Sequence, residues 1–143
     1  MSTEYYDTYY QEALGPLRDA LIGRSVVSVQ LGGDLPKVGY DYAQGRITLD
    51  DGTVLLIAGN EGCGGCANGW FEIKRLNDMP VNGITNVEID YEDRGYGEDY
   101  DQNPEIYRIF VLAQDQRFEL ATIEGDTGNG YYGTGFWFSV VRP

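Results

Sequence analysis

Two cysteines three positions apart, Cys63-Gly64-Gly65-Cys66, are the residues whose type and spacing most directly suggest chemistry in this 143-residue chain. Such a pair can close a disulfide, act as a dithiol nucleophile, or supply half of a zinc site. Thioredoxin-like reactivity needs a helix N-terminus to lower one thiol pKa, whereas here Gly69 leads straight into strand-like Trp70-Phe71. A structural zinc needs four ligands, and the chain has no further cysteine and no histidine, so only carboxylates or a second copy could complete one. The remaining reading is a glycine-rich turn in which backbone approaches backbone and the cysteines are small apolar fillers. That reading is favoured, and no metal or cofactor is expected.

The lack of histidine also removes Ser-His-Asp and Cys-His machinery and the commonest general base. Acids, by contrast, are abundant. Glu88, Asp90, Glu92, Asp93, Glu98, Asp99, Asp101 and Glu105 surround a single cation, Arg94. Asp99-x-Asp101-x-Asn103 opens like a calcium loop, then fails where Pro104 takes the glycine position and Phe110 the glutamate position. So many carboxylates give no way to choose a glycosidase pair. The stretch is therefore expected to be a solvated face or an acidic surface that mimics phosphates or covers a basic protein.

Aromatic residues form the third group. Trp70, Tyr131, Tyr132 and Trp137 could floor a small-ligand pocket, with Arg24, Arg75 or Arg117 as anion contacts, although most aromatics of a chain this size go to the core. A formal net charge of −13 opposes direct contact with nucleic acid or an anionic membrane and favours a basic protein partner. No apolar run approaches a membrane span and Met1 to Asp7 lacks signal-peptide character, so the cytoplasm is the expected compartment.

The elements that would position these residues are mostly strands. Residues 1–15 are expected to form a polar, tyrosine-rich arm or short helix, and residues 16–143 a single all-β domain. Leu17, Ala20 and Leu21 give a short helix from about Pro16 to Ile22. Strands follow at 25–31, 46–49, 53–58, 70–73 and 84–91, with Asp50-Asp51-Gly52 predicting a tight hairpin turn between the second and third. Glu92 to Glu105 reads as a long acidic loop; Ile106 to Ala113 reads as a central strand covered on both faces. Strands at 118–123 and 131–141 complete the set. The pattern predicts a mainly β domain, an antiparallel meander forming a sandwich or a rolled, partly open barrel with one or two short N-terminal helices.

Three groups of residues carry a resemblance. Leu21-Ile22-Gly23-Arg24-Ser25-Val26-Val27-Ser28-Val29, then Ile47 to Thr53, then Ala121-Thr122-Ile123-Glu124-Gly125 followed by Asn129-Gly130-Tyr131-Tyr132, are similar to ordered landmarks of an uncharacterised family of small bacteriophage proteins. Members of that family tend to carry paired cysteines between the first hairpin and the next strand; here Gly64-Gly65 separates them. The resemblance implies phage origin and one compact domain, and it carries no activity. The expected function is thus non-catalytic binding to a host protein through the acidic face. A ligand-sequestering pocket, a dithiol protein and a virion decoration protein are the alternatives.

Overall fold

The computed structural model describes residues 2–7, 13–38, 41–60, 70–93, 104–126 and 135–143. In chain order the elements are β1 (Ser2–Asp7), α1 (Leu14–Leu21), β2 (Val26–Leu31), β3 (Lys37–Val38), β4 (Asp41–Tyr42), β5 (Gly45–Leu49), β6 (Val54–Gly59), β7 (Trp70–Leu76), β8 (Ile84–Asp93), β9 (Pro104–Ala113), β10 (Gln116–Asp126) and β11 (Phe136–Arg142). They make a five-stranded sheet, β1-β11-β6-β5-β2, facing a four-stranded sheet, β7-β10-β9-β8, with β3 and β4 as a small separate hairpin. Every pairing is antiparallel. The mainly β, two-sheet class is the one the sequence predicts, although β11 inserts between β1 and β6 and β7 joins β10 across a long connection.

Alternation explains why the sheets face each other. Phe136, Phe138 and Val140 of β11, Leu55 and Ile57 of β6, and Ile47 and Leu49 of β5 turn inward against Tyr107, Ile109 and Val111 of β9, and all belong to one cluster. Aromatic rings run through it. Tyr6 stacks on Phe138 at 5.2 Å, Phe138 touches Phe136 at 6.1 Å, and Phe136 meets Tyr107 edge-on at 5.9 Å across the sheets. Tyr6 is why residues 2–7, expected as an arm or helix, form a strand instead: the Tyr6 to Phe138 pairing is non-local and outweighs the tyrosine spacing within the segment.

Two sets of close backbone contacts tie the layers together. At one, Gly59 of β6 lies against the Phe71 backbone of β7, and the Gln44 side-chain oxygen accepts from Ile73 N–H at 2.8 Å and Gly59 N–H at 3.4 Å. At the other, Gly23 N–H donates to Ile84 O, Ile84 N–H to Arg24 O, and Val26 N–H to Val81 O, at 2.8 to 2.9 Å. The helix α1 fills the gap beside β8. Leu17, Ala20 and Leu21 enter the core, and Arg18 Nε donates to the Val87 carbonyl of β8 at 3.2 Å, occupying an edge that would otherwise be open.

A second, smaller apolar cluster lies on the outer side of the five-stranded sheet. Leu35, Val38 and Ala43, around the β3–β4 hairpin, cover Leu56, Ala58 and Trp137.

Candidate functional site

The acidic stretch is positioned by β8 and its partners. Glu88, Asp90 and Glu92 occupy alternate positions and so share the outer face of the four-stranded sheet. Opposite them lie Phe110, Arg108 and Ile106 of β9. Arg117, on β10, stacks its guanidinium 3.5 Å from the Phe110 ring centroid and reaches Glu88 at 3.1 Å and Asp90 at 3.2 Å. Arg108 reaches Glu92 at 3.3 Å. The described part of this face is thus a ladder of partly exposed ion pairs, and the cations come from strands distant in sequence.

The ladder also runs further than the sequence suggests. Glu92 and Asp93 belong to β8 and Pro104 and Glu105 to β9, so the connection expected at 92–105 begins only after Asp93. Asp93 sits directly across from Glu105, a juxtaposition of like charges. Glu105 is buried and accepts a hydrogen bond from the Tyr91 hydroxyl. Burial and, after it, that carboxylate hold the Tyr91 phenol well above its ordinary pKa, so it stays a donor. β9 is interior to its sheet, but Arg108, Phe110 and Leu112 on its outer face are only half-buried, where coverage on both faces was expected.

The other predicted residues divide between the sheets and the undescribed segments. Trp137 lies on the outer side of the five-stranded sheet under the β3–β4 hairpin, whereas Trp70 is on β7 of the other sheet, paired with Asp126. Trp137 Nε1 and Ser139 Oγ are buried without a hydrogen-bond partner among the described residues. Tyr131, Tyr132, Cys63, Cys66, Glu98, Asp99 and Asp101 lie outside the described residues. The strand ends that flank those segments are neighbours nonetheless: Gly59 pairs with Phe136, Trp70 with Asp126, Asp126 with Pro104, and Asp93 with Glu105. Among the described residues no group of three or more potential ligands could hold a metal ion, and no helix is long and apolar enough to cross a membrane.

Of the three arginines considered as anion contacts, Arg117 belongs to the acidic face, Arg75 is exposed on β7, and Arg24 has a structural partner. Arg24 pairs with Asp51 in the β5–β6 turn, while Ser25 N–H donates to Asp50 at 3.0 Å and Ser25 Oγ accepts from Gly83 N–H at 3.0 Å. Two of the sequence landmarks, 21–29 and 47–53, are therefore two halves of one clasp. Burial alone would raise the Asp51 carboxyl, but Arg24 and the Thr53 N–H more than offset it and hold it at about 2. A depressed folded-state value means that the clasp adds its full stability above about pH 4 and loses it as pH falls toward 2. Asp51→Asn should flatten the acid limb of the stability curve in that window; since the side chain is 37% exposed, solvent screens the pair, and the drop in melting temperature at neutral pH should be only a few degrees. Thermal melts across pH check both.

Sequence inspection missed Arg108 and Gln44. Arg108 carried a signal, as the one charged residue in the run from Ile106 to Ala113; Gln44 carried none, because its partners lie on β6 and β7.

No curated protein and no solved structure matches the chain. One family model does, the one described as "Domain of unknown function (DUF7448)", over residues 19–138, which takes in β2 to β10 and both halves of the clasp and leaves β1 outside. The chain accordingly belongs to the DUF7448 family.

Proposed function

We propose that this protein acts by binding, not by catalysis, and lays the acidic face of β8 against a basic surface of another protein, a host protein in the phage setting that the sequence resemblance implies. The observation that supports this reading is the alignment of Glu88, Asp90 and Glu92 on one face of one strand, at intervals of about 7 Å. Glu88 and Asp90 pair with Arg117 and Glu92 with Arg108, all partly exposed, and such pairs are worth roughly 0–1 kcal/mol, so a partner's cations compete with Arg108 and Arg117 at little cost. The net charge of −13 speeds encounter with a cationic surface and opposes nucleic acid and anionic lipid.

The test starts from the protein that co-purifies with the tagged chain from infected cells. Its affinity should fall at least about tenfold for the triple variant E88Q/D90N/E92Q, and steeply as salt rises from about 0.05 to 0.5 M. An affinity indifferent to both would end the reading. A small-ligand role is the second reading, favoured by the buried, unpartnered Trp137 Nε1–H and Ser139 Oγ. Native mass spectrometry of the purified protein should then show a retained neutral molecule bearing an oxygen acceptor, lost on Trp137→Phe.

A further inference from the structure

The chain contains three Asn-Gly pairs, and of these Asn82-Gly83, just before β8, lies among the described residues. A glycine after asparagine leaves its own backbone nitrogen unshielded by a side chain, so that nitrogen can attack the asparagine carboxamide. At this pair the Gly83 nitrogen would bond to Asn82 Cγ and give up its proton, the side-chain nitrogen would leave as ammonia, and a succinimide ring would close. Solvent water then opens the ring. Opening at Cγ gives aspartate, whereas opening at the backbone carbonyl gives isoaspartate, in which the main chain runs through Cβ. Ammonia leaves and water enters, with no oxidant or reductant.

The fold treats the two reacting groups differently. Asn82 is exposed, and no hydrogen bond among the described residues holds its carboxamide. The nucleophile is tied. Gly83 N–H donates to Ser25 Oγ at 3.0 Å, a contact between residues 58 apart in sequence. The residues on either side of the pair are held to the same segment, because Val26 N–H donates to Val81 O at 2.8 Å and Ile84 N–H donates to Arg24 O at 2.9 Å. Val81 and Ile84 are buried, so these ties lie beneath the surface while Asn82 stands above it. Ring closure requires the Gly83 nitrogen to lose its proton and turn toward the Asn82 side chain, and the bond to Ser25 opposes both.

We propose that Asn82 is a deamidation site held shut by Ser25, and that isoaspartate at this position loosens the ties between the 24–26 segment and the 81–84 segment. Isoaspartate inserts one more main-chain atom between Val81 and Gly83. Val26, Ser25 and Arg24 hold Val81, Gly83 and Ile84 at the present spacing, so the lengthened chain cannot keep all three bonds. Aspartate leaves the main chain as it was, and the loss of stability belongs to the isoaspartyl product. Ser25 thus has a second task beyond its bond to Asp50, that of keeping an exposed and reactive pair intact. The inference does not depend on the host-binding reading, because it uses neither the acidic face nor any partner.

Peptide mapping of the full chain after incubation in mildly alkaline buffer tests it, with residue 82 scored for its mass gain and for isoaspartyl linkage. Conversion should be at least about tenfold slower in the folded protein than in the same chain unfolded in urea. Ser25→Ala should speed conversion of the folded protein roughly three- to tenfold, the rate equivalent of one net hydrogen bond, and Ser25→Thr, which keeps the hydroxyl, should not. Arg24→Gln breaks the ion pair to Asp51 but leaves Ser25 and Gly83 in place, so it should age like the parent. Protein carrying isoaspartate at 82 should melt below fresh protein, whereas Asn82→Asp, with the charge but not the additional atom, should melt close to it. Equal rates in the folded and unfolded chains overturn the proposal. So does Ser25→Ala protein that ages no faster than the parent, Arg24→Gln protein that ages as fast as Ser25→Ala, or isoaspartyl protein that melts like fresh protein.

Discussion

Replacing Gly59 by alanine is expected to cost about 3 kcal/mol or more of stability. The cause is steric. A Cβ at Gly59 would overlap the Phe71 carbonyl and stand 2.9 Å from the Glu72 nitrogen, and these are backbone atoms with no rotamer to change. Relief requires β7 to move away from β6, which breaks the shared hydrogen bonds to Gln44. The same substitution at Gly45 meets only the ends of the Ile73 and Leu76 side chains, at 2.9 and 3.3 Å, and should be tolerated far better. Urea midpoints of the two variants against the parent make the comparison; equal midpoints would show that β6 and β7 are not in close contact at Gly59.

Phe136→Ala should cost about 3–5 kcal/mol, in the range of large cavity-forming changes. Phe136 is fully buried and joins the layers: its ring lies 5.9 Å from Tyr107 of the facing sheet and 6.1 Å from Phe138 beside it. Truncation empties the space between the sheets and removes the edge-on ring contact together with the buried area. Phe136→Leu, which retains most of the volume, should recover more than half of the loss. Denaturation by guanidinium, followed by the near-ultraviolet signal of the aromatic cluster, measures both.

Local chemistry was legible in the sequence and long-range pairing was not. The β5–β6 hairpin could be read because its turn is written in adjacent residues: Asp51 accepts from Thr53 N–H at 2.9 Å, and Gly52 takes a φ of 89°, which side chains disfavour. The turn after β9 is legible in Gln114-Asp115, and both adopt positive φ without being glycine, the arrangement of a tight primed turn. β1 was missed because its identity as a strand is set by β11, more than a hundred residues away. The acidic connection is shorter than the sequence suggests for a related reason. Alternation of apolar residues stops at Tyr91, and what extends β8 to Asp93 is its pairing with β9, where Arg108 meets Glu92, a contact that no local pattern announces. Gly59 gave no warning either, since a glycine at the end of an apolar run looks like any strand terminus until the neighbouring backbone is seen.

The pairing of β1 with β11 sets Ser2 opposite Arg142, so both ends of the chain emerge at one margin of the five-stranded sheet. The opposite margin is β2, four strands and about 19 Å distant. A fluorophore, purification handle or surface tether attached at either end therefore leaves that far margin clear. The same proximity makes the fold a candidate for circular permutation: a short linker joining the ends, with new ends opened at Gln114-Asp115, would retain every ladder of both sheets.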